Sequence, residues 1–109
     1  MPPLDWSILP ALRLKQPVPI AAALSRFVRD EIAAGRCAAA VRQADGFTLK
    51  VDMAVLLEGD QIRRIVPRAI GCPTIEQYAV GLVSQFSRQN IDAAVTPGWF
   101  RTSVTFTWA

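Results

Sequence analysis

Residues 47–66 read FTLKVDMAVLLEGDQIRRIV, and this pattern predicts a β-hairpin. Large apolar side chains occupy every second position from residue 47 to residue 57 and alternate with Thr48, Lys50, Asp52 and Ala54. This period of two marks a strand with one buried face. The tight turn Glu58-Gly59-Asp60 follows, and residues 61–67 form the return strand. Because Pro67 cannot donate a hydrogen bond to a ladder, we expect this strand to end there or to lie at an edge.

Helical patterns flank the hairpin on both sides. From Pro19 to Gly35 apolar residues recur at three- and four-residue intervals, while Ser25 and its charged neighbours fall on the opposite face. The buried stripe expected of this first helix consists of Ile20, Leu24, Phe27, Val28 and Ile32. The buried stripe expected of a second helix, which opens at Gly71-Cys72-Pro73, consists of Ile75, Ala79, Leu82, Val83 and Phe86. Residues 37–43, between the first helix and the hairpin, are either a short strand or an extended lead-in.

A final strand covers residues 99–108, where aromatic and β-branched residues alternate with other side chains. The element order is therefore helix, strand, strand, helix, strand. The second helix crosses over and returns the last strand to the sheet of the hairpin. Two helices with one apolar stripe each can pack on one face of this three-stranded antiparallel sheet, so we expect a two-layer α+β fold.

Residues 1–18 form an extended, proline-containing arm in front of this single α+β domain, which spans residues 19–109. Apolar residues such as Trp6, Leu9 and Leu12 argue against a fully solvated tail. Two interpretations of the arm stay open. It covers part of the core, which we favour because a small domain needs every apolar anchor it has, or it is a docking peptide for a partner.

The composition favours a binding domain over an enzyme. A chain of 109 residues has the length of one domain, and its 51% hydrophobic and 19% charged residues are typical of a folded one. The chain has no histidine, which removes the usual general base near neutral pH and the commonest metal ligand. Its two cysteines cannot build a four-cysteine zinc site. We therefore expect no catalytic residue, no metal and no cofactor.

The positive charge is small and dispersed. The net charge of +3 comes mainly from scattered arginines, of which Arg63, Arg64 and Arg68 are the densest group. Nucleic-acid binders usually show a denser basic stripe, so we expect a solvated surface and no nucleic-acid partner. Arg63 and Arg64 should point to opposite faces of their strand. No apolar run approaches the roughly 20 residues of a membrane span, so we expect a soluble domain, whether it stands alone or is cut from a longer, anchored protein.

The two cysteines, Cys37 and Cys72, leave three alternatives open. Cys72 lies at a helix N-terminus, a position that favours a reactive thiolate, although no histidine is present to act as its base. Otherwise the cysteines are buried small residues, or they form a disulfide that ties the start of the first strand to the second helix.

The pattern as a whole resembles the C-terminal domain of TonB and of its relative TolA. The resemblance lies in the alternating strand Leu49–Val55, the turn Glu58–Asp60, the return strand Ile62–Val66, and the helix and aromatic strand that follow. The helix from Pro19 to Gly35 is similar to the helix that opens the TolA version. The positions of Cys37 and Cys72 resemble those of TolA's cysteine pair. The similarity covers about residues 19–108.

This resemblance implies a periplasmic adaptor that binds envelope proteins, partly by letting a partner peptide add to the open edge of its sheet. The unpaired backbone groups of an edge strand can pair with an extended peptide in any such fold. We take the last strand as the candidate edge, with Trp99, Arg101, Ser103, Thr105 and Thr107 as the partner-binding residues. The same edge also permits a strand-exchanged homodimer.

Two other functions compete with the adaptor. A free-standing cytoplasmic accessory or assembly subunit would dock on a larger complex through the arm, and its thiols would be reduced. A thiol-dependent enzyme would be built around Cys72.

Overall fold

The computed structural model describes residues 5–16, 20, 22–35, 37, 41–43, 46–58, 61–92 and 98–108. In chain order the elements are a 3-10 helix (Trp6–Ile8), α1 (Ala22–Ala33), β1 (Val41–Gln43), β2 (Gly46–Glu58), β3 (Gln61–Pro67), α2 (Pro73–Phe86) and β4 (Gly98–Trp108). The α+β fold is confirmed, and so is the order helix, strand, strand, helix, strand for the two α-helices and the three longer strands. Residues 41–43, for which two interpretations were open, form the additional short strand β1. The expected helix start at Pro19 and the turn residues Gly59 and Asp60 lie outside the described residues. Within the described part of the chain, no helix is long and apolar enough to cross a membrane.

One antiparallel sheet is built around β2. β4 pairs with β2 along nearly its whole length, from Phe47↔Trp108 to Leu57↔Gly98. The other edge of β2 is shared, because β1 pairs with its first residues and β3 with its last. β3 ends at Pro67, as expected. Among the described strands β4 has β2 as its sole neighbour, so β4 lies at the edge of the sheet.

The main core lies between the two helices and one face of the sheet. Its buried members are Val28, Cys37, Leu49, Val51, Met53, Cys72, Ile75, Ala79, Leu82, Val83, Val104 and Phe106. Tyr78 of α2 links both helices and the sheet: its hydroxyl donates to the Leu24 carbonyl oxygen at 2.9 Å, and its ring stacks on Phe106. The alternation in β2 and β4 thus supplies the sheet side of the core, as the sequence predicts.

The buried face of α1 differs from the predicted one. Ser25, expected on the solvent face, is only 2% exposed, whereas Phe27, expected in the core, is 37% exposed. Phe27 lies at the margin, with its ring centroid 4.6 Å from that of Tyr78. The buried residues of α1 are Ser25 and Val28, and the helix contacts β4.

A β-bulge in β3 explains the exposure of its arginines. The register shifts between Leu56↔Arg64 and Leu57↔Ile62, so Arg63 is the extra residue. Arg63 and Arg64 are both exposed, because the bulge interrupts the alternation on which the opposite-face prediction depends. Arg63 donates from Nε and Nη2 to the two carboxylate oxygens of Glu58 at 3.0 and 3.2 Å.

The N-terminal arm is partly helical and covers a second apolar cluster. Asp5 caps the 3-10 helix by accepting from the Ser7 backbone N–H at 3.0 Å. Further along the arm, Leu12 and Leu14 pack against the buried side chains Val55, Leu57 and Ile91. The arm therefore covers part of the core, which is the first of the two interpretations given above.

The start of α2 is held by a carboxylate. Glu76 Oε2 accepts from the backbone N–H of Ile70 at 3.0 Å and from that of Cys72 at 3.1 Å. These donors would otherwise be unsatisfied at the beginning of the helix. The acidic side chain in the first turn also interacts favourably with the helix dipole.

Replacing Glu76 with alanine should lower the free energy of unfolding by about 1–3 kcal/mol, because it leaves two half-buried donors without an acceptor. Urea unfolding followed by circular dichroism measures the change. Glu58→Ala is the matched control, since it removes an exposed pair worth at most about 1 kcal/mol. Equal effects of the two substitutions would contradict the role of Glu76.

Candidate functional site

The five predicted partner-binding residues share one face of β4, the face that points away from the helices. Burial alternates along the strand: Val104 and Phe106 are buried in the core, while Arg101, Ser103, Thr105 and Thr107 are exposed and Trp99 is half-buried. The alternation of side chains along the sequence predicts that these five residues share one face, and the structure places them on one surface. Trp108, of the opposite parity, packs against the main core and stacks on Phe47.

The same residues direct their backbone groups away from β2. The Arg101 N–H donates to the Pro10 carbonyl oxygen at 2.9 Å, and the Arg101 carbonyl accepts from the Leu12 N–H at 2.8 Å. In an antiparallel ladder, residues that bond outward alternate with residues that bond to the neighbouring strand. The register between β2 and β4 is unbroken. Ser103, Thr105 and Thr107 must therefore also present their N–H and C=O groups outward.

The arm occupies the beginning of this edge and then leaves it. Ala11 forms a parallel bridge with Arg101, and Leu14 forms an antiparallel bridge with Ile91. Gln16, the last described residue of the arm, is held by Asn90, whose Nδ2 donates to the Gln16 carbonyl at 2.8 Å. Beyond Arg101, the outward backbone groups of β4 have no backbone partner among the described residues. We call this stretch, residues 103–107, the free edge.

A groove of about 470 Å³ borders the free edge on the outer face of the sheet. Its charged lining residues are Lys50, Asp52, Arg68 and Arg101. Lys50 Nζ lies 3.7 Å from the Asp52 carboxylate, and both side chains are exposed, as expected of a solvated pair. Arg101 Nε donates to the Leu9 carbonyl at 2.9 Å, which holds its guanidinium beside the arm. Three cations and one carboxylate thus give the groove a positive balance.

The far wall of the groove is built by the arm. The Arg68 guanidinium lies over the Trp6 ring, 4.7 Å from its centroid, in a cation–π contact. Next to Trp6, the Ser7 hydroxyl and N–H donate to Asp5 and lower the pKa of that carboxyl group below its ordinary value, with a smaller contribution from Arg68. Sequence reasoning missed Trp6 and Arg68 as lining residues, since nothing local in the chain brings the arm across the sheet.

A second, smaller cavity borders the free edge on the helix side. It measures about 100 Å³ and adjoins Thr102–Thr105 of β4. Its apolar lining comes from the arm, from Ile20 ahead of α1, from the end of α2 and from β4, and consists of Leu12, Leu14, Ile20, Val83, Phe86 and Val104. The free edge therefore lies between a basic groove on one side and an apolar cavity on the other.

Cys37 and Cys72 form a disulfide between the segment that precedes β1 and the N-terminus of α2. Their Cα atoms are 5.4 Å apart, and both residues are buried. Because the chain has two cysteines and both are in the bond, the structure offers the thiol-dependent interpretation no free nucleophile. No group of three histidine, cysteine, aspartate or glutamate residues that could hold a metal ion occurs among the described residues.

Comparison with known proteins adds no assignment. No protein-family model, curated protein or solved structure matches the chain. The function proposed below therefore depends on the geometry of the free edge and on its two flanking cavities.

Proposed function

We propose that this chain is a non-enzymatic protein–protein interaction domain, similar to the C-terminal domain of TonB and TolA, that binds an extended segment of an envelope protein along the free edge of β4. The observation that carries the proposal is the pairing of Arg101 with Pro10 and Leu12. The chain itself adds an extended segment to this edge, and residues 103–107 continue it. Main-chain hydrogen bonds to an edge strand provide affinity, and flanking side chains provide specificity.

The disulfide supports an oxidising compartment, and hence the periplasmic location that the proposal includes. Disulfides persist in the bacterial periplasm and in other secreted settings, whereas cytosolic thiols are kept reduced. The buried Cys37–Cys72 bond favours the adaptor over the cytoplasmic accessory subunit, which would hold two free thiols.

One observation favours the second candidate, a cytoplasmic accessory subunit that docks through its arm. Ile8 of the 3-10 helix is 73% exposed, the most exposed large apolar side chain of the described residues. An apolar side chain presented in this way can serve as an anchor for a partner, although single exposed apolar residues are common on protein surfaces. The variant Ile8→Ser is therefore included in the peptide-binding experiment that follows.

Substitution of Thr105 by proline should weaken peptide binding while leaving the fold intact. The Thr105 N–H points outward, so proline removes a donor of the free edge without removing a bond to β2. Peptides selected from a random displayed library on the wild-type chain should bind Thr105→Pro at least about tenfold more weakly, the equivalent of about 1.4 kcal/mol. Fluorescence polarisation with the selected peptides gives the dissociation constants.

Thr105→Val is the matched control, because it keeps the N–H and the β-branched shape and should bind like the wild type. Peptides that bind Thr105→Pro and Thr105→Val equally would contradict binding at the free edge. Peptides that lose binding on Ile8→Ser and keep it on Thr105→Pro would favour docking through the arm.

A further inference from the structure

We infer that the partner segment alternates acidic with small aliphatic side chains, the acidic ones contacting the basic groove and the aliphatic ones entering the cavity between the arm and α2. This inference rests on the proposed function, because it specifies what the free edge binds. Successive side chains of a strand point to opposite faces. A segment added to residues 103–107 therefore presents alternate side chains to the two cavities that flank this edge.

The outer side of the edge favours a carboxylate. An added strand lies about 4.8 Å from β4 and about 10 Å from β2, within reach of the long side chains of Arg101 and Lys50. The described hydrogen bond of Arg101 uses Nε, and no partner of its two terminal nitrogens appears among the described residues. These nitrogens can donate to a carboxylate, with the charge-assisted strength of such bonds.

The positive balance of the groove is open to a ligand. Asp52 is the one carboxylate that lines the groove among the described residues, and it lies beside Lys50. Arg68 is placed over Trp6 at the far wall. A strand with acidic side chains on its outer side would complement this charge, whereas a strand with basic ones would oppose Arg101 and Lys50 directly.

The helix side of the edge favours an aliphatic group. Leu12, Leu14, Ile20, Val83 and Phe86 line the cavity there. Its volume of about 100 Å³ suits a small branched side chain rather than an aromatic one. A valine placed there exchanges water for apolar contacts, at about 25 cal/mol for each Å² of apolar surface buried. An apolar cavity beside the same backbone favours a peptide over a nucleic acid, which has no alternating apolar groups.

The probe is an eight-residue peptide with blocked ends in which valine and glutamate alternate. Two comparison peptides carry glutamine or lysine in place of glutamate. Two-dimensional NMR of the full chain measures affinity and, by hydrogen exchange, protection of the Ser103 and Thr105 amides. At low salt the glutamate peptide should bind about tenfold more tightly than the glutamine peptide, and the lysine peptide should bind most weakly. About 0.5 M salt should remove most of this difference.

Lys50→Gln should weaken binding of the glutamate peptide about threefold, as expected for one exposed charge contact. Lys15→Gln is the matched control: it makes the same charge change at the other lysine of the chain, an exposed arm residue that does not line the groove. It should leave the affinity unchanged.

The outcomes separate the inference from the proposed function. If the glutamate and glutamine peptides protect the Ser103 and Thr105 amides equally, the inference of an acidic partner segment is overturned, while binding at the free edge remains supported. If none of the three peptides protects these amides, both the inference and the proposed function are overturned. Binding of the glutamate peptide without protection of these amides, or equal binding of a single-stranded oligonucleotide, would also overturn the inference, since the groove would then be a general polyanion site.

Discussion

Replacement of Phe106 by alanine is expected to lower the free energy of unfolding by about 3–5 kcal/mol. Phe106 is fully buried and is the largest such side chain of the core. Its ring stacks on Tyr78 with centroids 5.9 Å apart, and the Tyr78 hydroxyl in turn donates a hydrogen bond to the Leu24 carbonyl oxygen of α1. The substitution therefore leaves a cavity at the point where both helices meet the sheet. Urea unfolding followed by circular dichroism measures the loss.

Thr105→Ala is the control for this prediction, because it truncates a side chain of the same strand on the exposed face. Surface substitutions of this kind usually change stability by less than about 0.5 kcal/mol. Domains of this size are typically stable by about 5–15 kcal/mol, so the Phe106 variant should unfold at a clearly lower urea concentration. A midpoint close to that of Thr105→Ala would contradict the assignment of Phe106 to the centre of the core.

The second large effect is expected from removal of the disulfide. The double substitution Cys37→Ala and Cys72→Ala should lower the free energy of unfolding by about 3–4 kcal/mol, the value expected when a cross-link of this span is lost. The two cysteines are 35 residues apart in the chain, and the segment between them contains all of β1, β2 and β3. Without the bond, the unfolded chain regains the conformational freedom that this closed loop denies it.

Reductant provides the internal control. Under dithiothreitol the wild-type midpoint should fall to that of the double variant, and the midpoint of the variant should not change. Alanine is preferred to serine here because both positions are buried, and a hydroxyl group there would add a separate cost. A double variant as stable as the oxidised wild type would show that the cross-link does not stabilise the domain.

The elements that depend on local patterns were predicted from the sequence. Alternation from residue 47 to 57 and from 99 to 108 gave the two long strands, and parity alone placed Arg101, Ser103, Thr105 and Thr107 on one surface. Turn chemistry and Pro67 located the end of β3. These features follow from interactions between residues that are close in the chain, which is why a single sequence can reveal them.

The features that escaped prediction depend on long-range contacts. Two examples are the contact between Trp6 and Arg68 and the hydrogen bond between Asn90 and Gln16. Each joins residues more than sixty positions apart, and the residue types involved do not indicate which residues will meet. The bulge at Arg63 contains no glycine that would mark it. Burial of Ser25 depends on the tertiary packing of α1, which the apolar pattern of α1 alone does not fix.

In the proposed complex, the course of the arm limits how long the partner segment remains bound. Because the arm pairs with Arg101, three outward-facing residues, Ser103, Thr105 and Thr107, are left for a second segment. A segment of that length buries far less than the roughly 1,200 Å² at which stable protein complexes begin. Differences in affinity between related complexes are mainly differences in dissociation rate. We therefore expect a short residence time for the proposed complex, which suits a partner that is engaged and released repeatedly rather than held in a permanent assembly.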